Sequence, residues 1–378
     1  MNGQTTSGVR VLDRIEPLVP EWEHLARSIG ASPFLWPGWF LAWWQAFGRG
    51  RLQILTAYED GRLTGVLPLR KARGTLSSTT NYHTHLFGFL AADEAAARHL
   101  SRALFSQRAR RIDLSLLSSI DNGVSLAGAA AKTARYQVLT ESRQVAPYVD
   151  THGAWEDYES SLRRKFRSEL RRRRRRLEEE GQLTLEVFDG AEGLSELLEE
   201  GFRVEGSGWK GTGETSIDSH WSTRRFYTEI AHWATEHNWL RLAFLRLNGR
   251  ALAFDYCLEH DGVHYLLKTG YDPAYRQYAP GMIIRHLMLA RAFSDEISTY
   301  DFLGADYGWK REWTDVQQER LFLRMFAPTA LGFLDRMGFT YGRPAAKRVK
   351  TFADSALDGR DNRLLKRGYA MVRERLSR

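Results

Sequence analysis

Between Val263 and Asp306 the chain carries residue types suited to holding a phosphorylated ligand and moving a group beside it. A strand over His264–Thr269 leads into Gly270-Tyr271-Asp272-Pro273-Ala274-Tyr275-Arg276-Gln277-Tyr278-Ala279-Pro280-Gly281. An apolar helix follows, then the strand Tyr300-Asp301-Phe302-Leu303-Gly304. A first helical turn has backbone N–H groups without intrahelical acceptors and the positive end of the helix dipole, so it attracts a pyrophosphate. Pro280 suits the helix start because its missing N–H would have no partner there. Gly281 permits close backbone approach. Neither G-x-G-x-x-G nor G-x-x-x-x-G-K-[ST] is present, and the strand ahead of the helix reads as part of an antiparallel meander, against a dinucleotide-binding unit.

Carboxylates and phenols are the candidates for proton transfer. Glu205 opens Glu205-Gly206-Ser207-Gly208-Trp209-Lys210-Gly211 after a helical run. Either these glycines end the helix and Trp209 is core, or Glu205 enters a cleft as general base or substrate ligand. Asp255 lies mid-strand. Facing the core it needs a partner, with Lys268 on the next strand the candidate; facing outward it needs none. Asp301 and Asp306 flank Gly304 at a strand end, and Asp306 and Lys310 have the spacing of a surface ion pair. Tyr271, Tyr275, Tyr278 and Tyr307 gather near the turn, either to protonate a leaving group or to pack against rings. His83 and His85 have no evident third ligand, so no metal is expected. Cys257 reads as a small packed residue, and no G-x-S-x-G elbow occurs.

The elements that must position these groups alternate between helix and strand. Glu21–Ile29, Pro37–Phe47 and Asp93–Gln107 read as helices, the second with a tryptophan-rich buried face. Leu52–Tyr58 and Arg62–Arg70 are strands joined by Asp60-Gly61, a strong hairpin signal. Gly74–His85 reads as a polar loop, Arg111–Leu117 as a strand and Gln137–Val149 as extended chain. Ala154–Glu180 reads as one long helix. Trp239–Leu247, Arg250–Glu259 and Val263–Thr269 form a meander with turns at Asn248-Gly249 and Asp261-Gly262. The segment Tyr58–Gly65 resembles Arg246–Ala253, which suggests a tandem duplication.

The chain has 378 residues, 43% apolar and 26% charged, with one cysteine and a net charge of +8. These values exclude a disordered chain, a disulfide scaffold and a thiolate metal cluster. Ten basic residues between Arg163 and Arg176, against Glu169 alone, account for the excess, leaving the rest close to neutral. Six consecutive arginines point all around a helix. They are a solvated surface balanced by Glu178–Glu180, a holder of an anionic ligand, or an RNA contact. The polar N-terminus has no signal-peptide pattern, and Phe34–Phe47 is too short to span a membrane. A cytoplasmic protein without a transmembrane segment is expected.

In register, Arg276-Gln277-Tyr278-Ala279-Pro280-Gly281 resembles the R/Q-x-x-G-x-G/A turn with which the GNAT acyltransferase superfamily binds the coenzyme A pyrophosphate, Ala279 replacing the first glycine. A closer resemblance is to the CelD/BcsL-like acetyltransferases of cellulose and exopolysaccharide synthesis, themselves similar to the FemABX peptidyltransferases. It is carried by the basic helix, Glu205–Gly211, the Gly249-Arg250 hairpin, Lys268–Asp272, and Asp301–Gly304 followed by Lys310. The resemblance covers Ala154–Trp313 well and the N-terminal half loosely. It implies an α/β fold of tandem GNAT-like domains with mixed, largely antiparallel sheets. A degenerate first domain (1–150), an acyltransferase domain (151–328) and a helical C-terminal extension (329–378) are expected.

The implied activity is acyl transfer from acetyl-CoA or another acyl-CoA to a hydroxyl or amine, on a sugar or cell-envelope precursor, without a metal. Glu205, Asp301 and Tyr275 are the expected catalytic residues. Lys268, Arg276, Gln277, Ala279, Pro280 and Gly281 are expected to bind the coenzyme. Trp209, Lys210, Asp255, Tyr271, Asp306 and Lys310 are expected to bind substrate. Two rivals remain: an aminoacyl-tRNA-dependent peptidyltransferase, the one reading with a nucleic-acid partner, and a non-catalytic binding protein on the same scaffold.

Overall fold

The computed structural model describes residues 8–208 and 216–342. The first half contains β1 (Gly8–Leu12), α1 (Val19–Ser28), α2 (Pro37–Phe47), β2 (Arg51–Glu59), β3 (Arg62–Ala72), β4 (Thr75–Ser78), β5 (Leu90–Ala91), α3 (Glu94–Ser106), β6 (Arg111–Ser118), α4 (Asn122–Thr133) and β7 (Gln137–Asp150). The second contains α5 (Trp155–Ser161), α6 (Arg164–Glu178), β8 (Leu183–Phe188), α7 (Leu194–Gly206), α8 (Trp221–Glu236), β9 (Leu240–Leu247), β10 (Arg250–His260), β11 (Val263–Tyr271), α9 (Pro280–Ser294), β12 (Thr299–Asp301), β13 (Gln317–Phe326) and α10 (Ala330–Met337). The fold is α/β with one large mixed sheet, as the sequence implies. Its strand order is β1-β2-β3-β4-β6-β13-β7-β12-β11-β10-β9-β8, with β5 against β3.

The two halves repeat one pattern. Each begins with an antiparallel run and then makes one parallel pair, β4 with β6 and β11 with β12. The hairpin turns follow the sequence signal: Asp60-Gly61 and Asn248-Gly249 both take positive φ at both positions, the turn type that matches strand twist. A bulge follows each turn at the same offset. Thr64 is extra in β3 and Leu252 in β10, three residues beyond the turn glycine in each case. A bulge at one matched position is a more specific sign of duplication than a similar hairpin.

The halves also exchange strands. The last strand, β13, lies between β6 and β7 of the first half. Its Leu323 and Met325 complete the cluster built by Leu67, Leu104, Ile112 and Leu114. Strand β7 continues from β13 to β12, pairing Tyr148–Asp150 with Asp301–Thr299. Helix α2 reaches across as well: Trp39 and Trp43 join Phe226, Tyr227 and Ile230 of α8. A Cβ on Gly38 would stand 2.1 Å from the Trp233 ring, so the helices touch only without a side chain there.

Two expectations change, and one helix was not foreseen. The long helix over Ala154–Glu180 is two, because Leu162 is extended and buried between α5 and α6. The polar stretch Gly74–His85 contains β4, whose Thr75-Leu76-Ser77-Ser78 alternation buries Leu76 and Ser78. Residues 122–133, which carry no clear hydrophobic stripe, are helical, with Asp121 capping the Gly123 N–H. Of the expected C-terminal extension, residues 330–342 are helical and 343–378 lie outside the described residues.

A fragment ending at Asp150 lacks β13 and the buried side chains it supplies, each contributing roughly 1.5–3 kcal/mol. It is expected to melt without a cooperative transition by circular dichroism. A sharp transition for that fragment would show that the first half folds without the last strand.

Candidate active site

Strands β11 and β12 are paired for three residues, Val263–Tyr265 with Thr299–Asp301, and then part. Leu267 forms a bulge against β10 where they separate. Beyond that point the gap-facing backbone of β11 has no strand partner. A cavity of about 1050 Å³ opens there, walled by Leu266–Tyr271 on one side and Phe302–Ala305 on the other. The turn after β12 takes Leu303 to φ 50°, a left-handed conformation costing a non-glycine residue roughly 1–2 kcal/mol.

Two buried groups hold that turn. Asp301 accepts from the Leu303 N–H at 2.7 Å and from Gln318 Nε2 at 3.1 Å. Its carboxyl is pushed up to about 6 by burial, against the pull of the Leu303 N–H, Arg320 and Lys310. It lies behind the Leu303–Gly304 turn and is not one of the residues facing the cavity. Lys310 is buried, lines the cavity and donates through Nζ to the Leu303 and Ala305 carbonyls. The surface pair of Asp306 with Lys310 is therefore not formed; Asp306 pairs with Arg311 at 2.6 Å.

Helix α9 points its first turn at the same cavity, where Ala279 and Gly281 are wall residues. Pro280 is buried at the first helical position and Ala279 is the N-cap, at φ 52° and ψ 54°. That left-handed geometry explains why glycine would suit position 279 better. Arg276 and Tyr271 line the mouth, and a Cβ on Gly281 would lie 3.2 Å from the Tyr271 ring. Gln277 is exposed beside them. Tyr275 lies under Arg250, with the guanidinium 5.6 Å from its ring centre, and does not face the cavity.

Helix α6 explains part of the basic segment. Phe166, Leu170 and Leu177 form its inner stripe, and Arg173 falls on the same face and reaches the cavity. The other arginines are largely matched by carboxylates: Arg172 and Arg173 share Glu169, Arg174 meets Glu178, and Arg163 meets Glu312.

Glu205 sits on the last turn of α7, only 1% exposed, and lines the cavity. A Cβ on Gly270 would stand 2.4 Å from its Cα, so bare backbone at 270 lets α7 seat this carboxylate against β11. Oε2 accepts from the Ile217 N–H at 2.9 Å. Tyr82 and Tyr227 share this part of the wall. Burial, a hydrogen bond with Tyr307 and the Glu205 charge push the Tyr82 hydroxyl up to about 12. Burial and then Glu205 likewise raise Tyr227. The Lys268 ammonium lies 5.7 Å and 5.4 Å from the centres of these two rings.

Asp255 faces the core, fully buried, and its partner is Arg285 of α9 rather than Lys268. Two contacts of 2.8 Å join them, and Arg285 also donates to Tyr300. In the register of β10 and β11, Asp255 lies opposite Thr269 and Tyr256 opposite Lys268, which directs the lysine to the other face. Trp209 and Lys210 lie outside the described residues. Sequence reasoning missed Tyr82, Tyr227 and Arg285. An arginine within the apolar helical run Met282–Ala292 was the one available signal, since a buried guanidinium demands a carboxylate.

Residues 164–311 match the acetyltransferase (GNAT) domain family. The match runs from α6 to the loop after β12 and so takes in the whole β11–β12 gap. No curated protein sequence matches the chain. Among solved structures, FemX is 13% identical with a TM-score of 0.55, over 83% of this chain and 96% of its own. L-PGS from Bacillus licheniformis is 12% identical with a TM-score of 0.54, over 83% and 94%. A domain described as the C-terminal DUF2156 domain of a lysylphosphatidylglycerol synthetase, from Agrobacterium fabrum, is 10% identical with a TM-score of 0.54, over 84% and 93%. At such identities the likeness establishes the fold, with each neighbour matched along nearly its whole length. Among the described residues, no group of three or more His, Cys, Asp or Glu side chains is placed to hold a metal ion, and no helix is long and apolar enough to cross a membrane.

The raised carboxyl of Asp301 has a thermodynamic signature. A native pKa above the unfolded value favours folding below the unfolded pKa, and that advantage is lost as pH rises toward about 6. Asp301→Asn, which mimics the protonated form, is expected to gain melting temperature relative to wild type between pH 4 and pH 7. A difference that does not change with pH would remove this account.

Proposed function

We propose that the chain transfers an acyl group from an acyl-coenzyme A to a hydroxyl or amine of a sugar or cell-envelope precursor. The observation that carries this reading is one continuous cavity, from the N-terminus of α9 through the β11–β12 gap to a hydroxyl-lined wall in the first half. A donor entering at α9 and an acceptor entering from the first half would meet at the gap.

In this reading the α9 first turn, with Gly281 and Ala279 as bare backbone after buried Pro280, receives the pyrophosphate, and Arg276, Gln277 and Arg173 add positive charge at the mouth. Lys268 lies deeper, toward the thioester. A backbone N–H of β11 beyond Tyr265, where the strand has left β12, would polarise the thioester carbonyl as charge develops on its oxygen. Glu205 takes the proton from the acceptor oxygen or nitrogen as that atom bonds to the carbonyl carbon and the carbon–sulfur bond breaks. A cavity-facing phenol, Tyr271 or Tyr82, returns a proton to the departing thiolate. Tyr275 is turned away beneath Arg250 and takes no such role. Asp301, Lys310 and the Asp255–Arg285 pair hold the walls in place. Asp306 fixes the loop after β12 through Arg311, and Trp209 and Lys210 remain candidates for the acceptor side.

A second reading keeps this chemistry but takes the acyl group from an aminoacyl-tRNA. The exposed Arg171, Arg172 and Arg175 on α6, the helix whose Arg173 reaches the cavity, are the observation in its favour.

Desulfo-coenzyme A is expected to raise the melting temperature of nucleic-acid-free protein in a saturable way. Gly281→Glu should abolish the shift, because it puts bulk and negative charge where the pyrophosphate would sit while leaving a helix N-terminus that tolerates an acidic residue. Glu205→Gln should bind the thioester normally and lose about 10²–10⁴-fold in turnover. No shift with any coenzyme A species, together with salt-sensitive tRNA binding, would replace this reading with the second.

A further inference from the structure

The cavity continues past the β11–β12 gap into the matching gap of the first half. Strands β4 and β6 run parallel over Thr75–Ser77 and Arg111–Asp113 and then part. Leu116 follows at φ 64° and faces the cavity, as Leu303 does in the second half. The backbone device is repeated, but the side chains around it are different.

The second gap is lined by Leu266, Leu267, Phe302 and Leu303, with Lys268 and Lys310 as its cations. The first is lined by hydroxyls and guanidinium groups. Ser78, Thr80 and Ser115 hold their hydroxyl oxygens 2.8–3.0 Å apart, and each can donate or accept by rotating. Arg70 and Arg324 face the same space. Arg324 donates to Asp113 at 2.9 Å, and that carboxylate is also held by Arg111 at 3.0 Å. Arg70 donates through Nε to Ser77 Oγ at 3.2 Å and meets no carboxylate among the described residues. Arg70 is thus the guanidinium of this group that no carboxylate among the described residues matches. Beside them stands His85, on the cavity wall and 9% exposed. Burial and then the Lys268 charge lower this imidazole to about 3, so it is neutral and adds no charge to the wall.

A cavity-facing guanidinium without a carboxylate, Arg70, calls for an oxyanion, which accepts from such a fork at two points. A row of rotatable hydroxyls calls for a ligand with hydroxyls of its own. We propose that the first gap is the acceptor subsite and that it selects an anionic polyol, a sugar carrying a phosphate or a carboxylate. This rests on the acyl-transfer reading above, but the binding it predicts can be measured without turnover.

The test is calorimetric titration of wild type, Arg70→Gln, Arg70→Lys and Gly281→Glu with glucose 1-phosphate, glucuronate, glucose and inorganic phosphate. Glucose 1-phosphate or glucuronate should bind wild type, the better of the two naming the anion, and glucose and free phosphate should each bind at least about tenfold more weakly, the scale of one charged hydrogen bond. Arg70→Gln should lose that preference, and Arg70→Lys, which keeps the charge, should retain much of it. Gly281→Glu should leave the sugar affinity intact, because it alters only the α9 end. Glucose binding as well as its charged derivatives, free phosphate binding as well as the sugar phosphate, Arg70→Gln binding as wild type, Gly281→Glu removing the affinity, or no binding at all would each overturn the proposal. Desulfo-coenzyme A serves as the separate arm. If it fails to bind while the charged sugars behave as stated, the coenzyme A reading falls and the subsite stands.

Discussion

Strand β7 is shared between the halves, and the geometry of the whole cavity depends on that sharing. Its early residues pair with β13 and its last three with β12. Because β13 in turn pairs with β6, the two parallel pairs that open into gaps belong to a single hydrogen-bonded sheet. A shift of either half would have to slip a register, and a one-residue slip sends each side chain to the opposite face. The distance between the two gaps is therefore set by backbone pairing rather than by a flexible interface.

Opening a sheet leaves backbone groups unpaired and bends strand ends, and the costs of both are met locally. The left-handed Leu303 is held because Asp301 accepts its N–H and Lys310 donates to its carbonyl. Beneath the floor, Asp255 and Arg285 bind β10 to α9, so the helix whose first turn faces the cavity is tied to the sheet by a buried ion pair. Breaking one side of such a pair costs far more than the pair itself contributes. This ties the position of α9 to β10 as well as to the turn that precedes it.

The sequence was most readable where one residue pair dictates a backbone shape. Asp60-Gly61, Asn248-Gly249 and Asp261-Gly262 announced the hairpins because only a few residue types accept positive φ. Leu170 and Leu177 placed a helix under the arginines, and Pro280-Gly281 marked the start of α9. What could not be read follows from tertiary context. The strand β4 is written in polar residues because Ser77 and Ser78 face the cavity. Leu162 interrupts what looks like continuous helix because its burial outweighs local propensity. The partner of Asp255 lies thirty residues away on a helix, and no spacing rule identifies it. Glu205, Lys268, Arg276, Gly281 and Tyr271 could be gathered from the sequence because they sit near glycines that let backbones approach. Arg70, Tyr82 and Tyr227 come from elements whose spacing carries no signal.

Duplication followed by divergence of side chains would account for the proposed division of labour between the two gaps. Both halves keep the parallel pair, the parting strands and a left-handed leucine beyond the gap. The second gap sets leucines and Phe302 beside Lys268 and Lys310, with a helix that begins at its mouth, which on the proposed reading suits a thioester and an anionic tail. The first has hydroxyls and guanidinium groups, which favour a ligand rich in oxygen. Since backbone pairing fixes the two gaps at a constant separation, each lining could change without disturbing the other. The carboxylate of Glu205 borders the cavity that joins them. On the proposed reading, a base placed there would serve whichever acceptor the first gap admits, so specificity could change without rebuilding the chemistry.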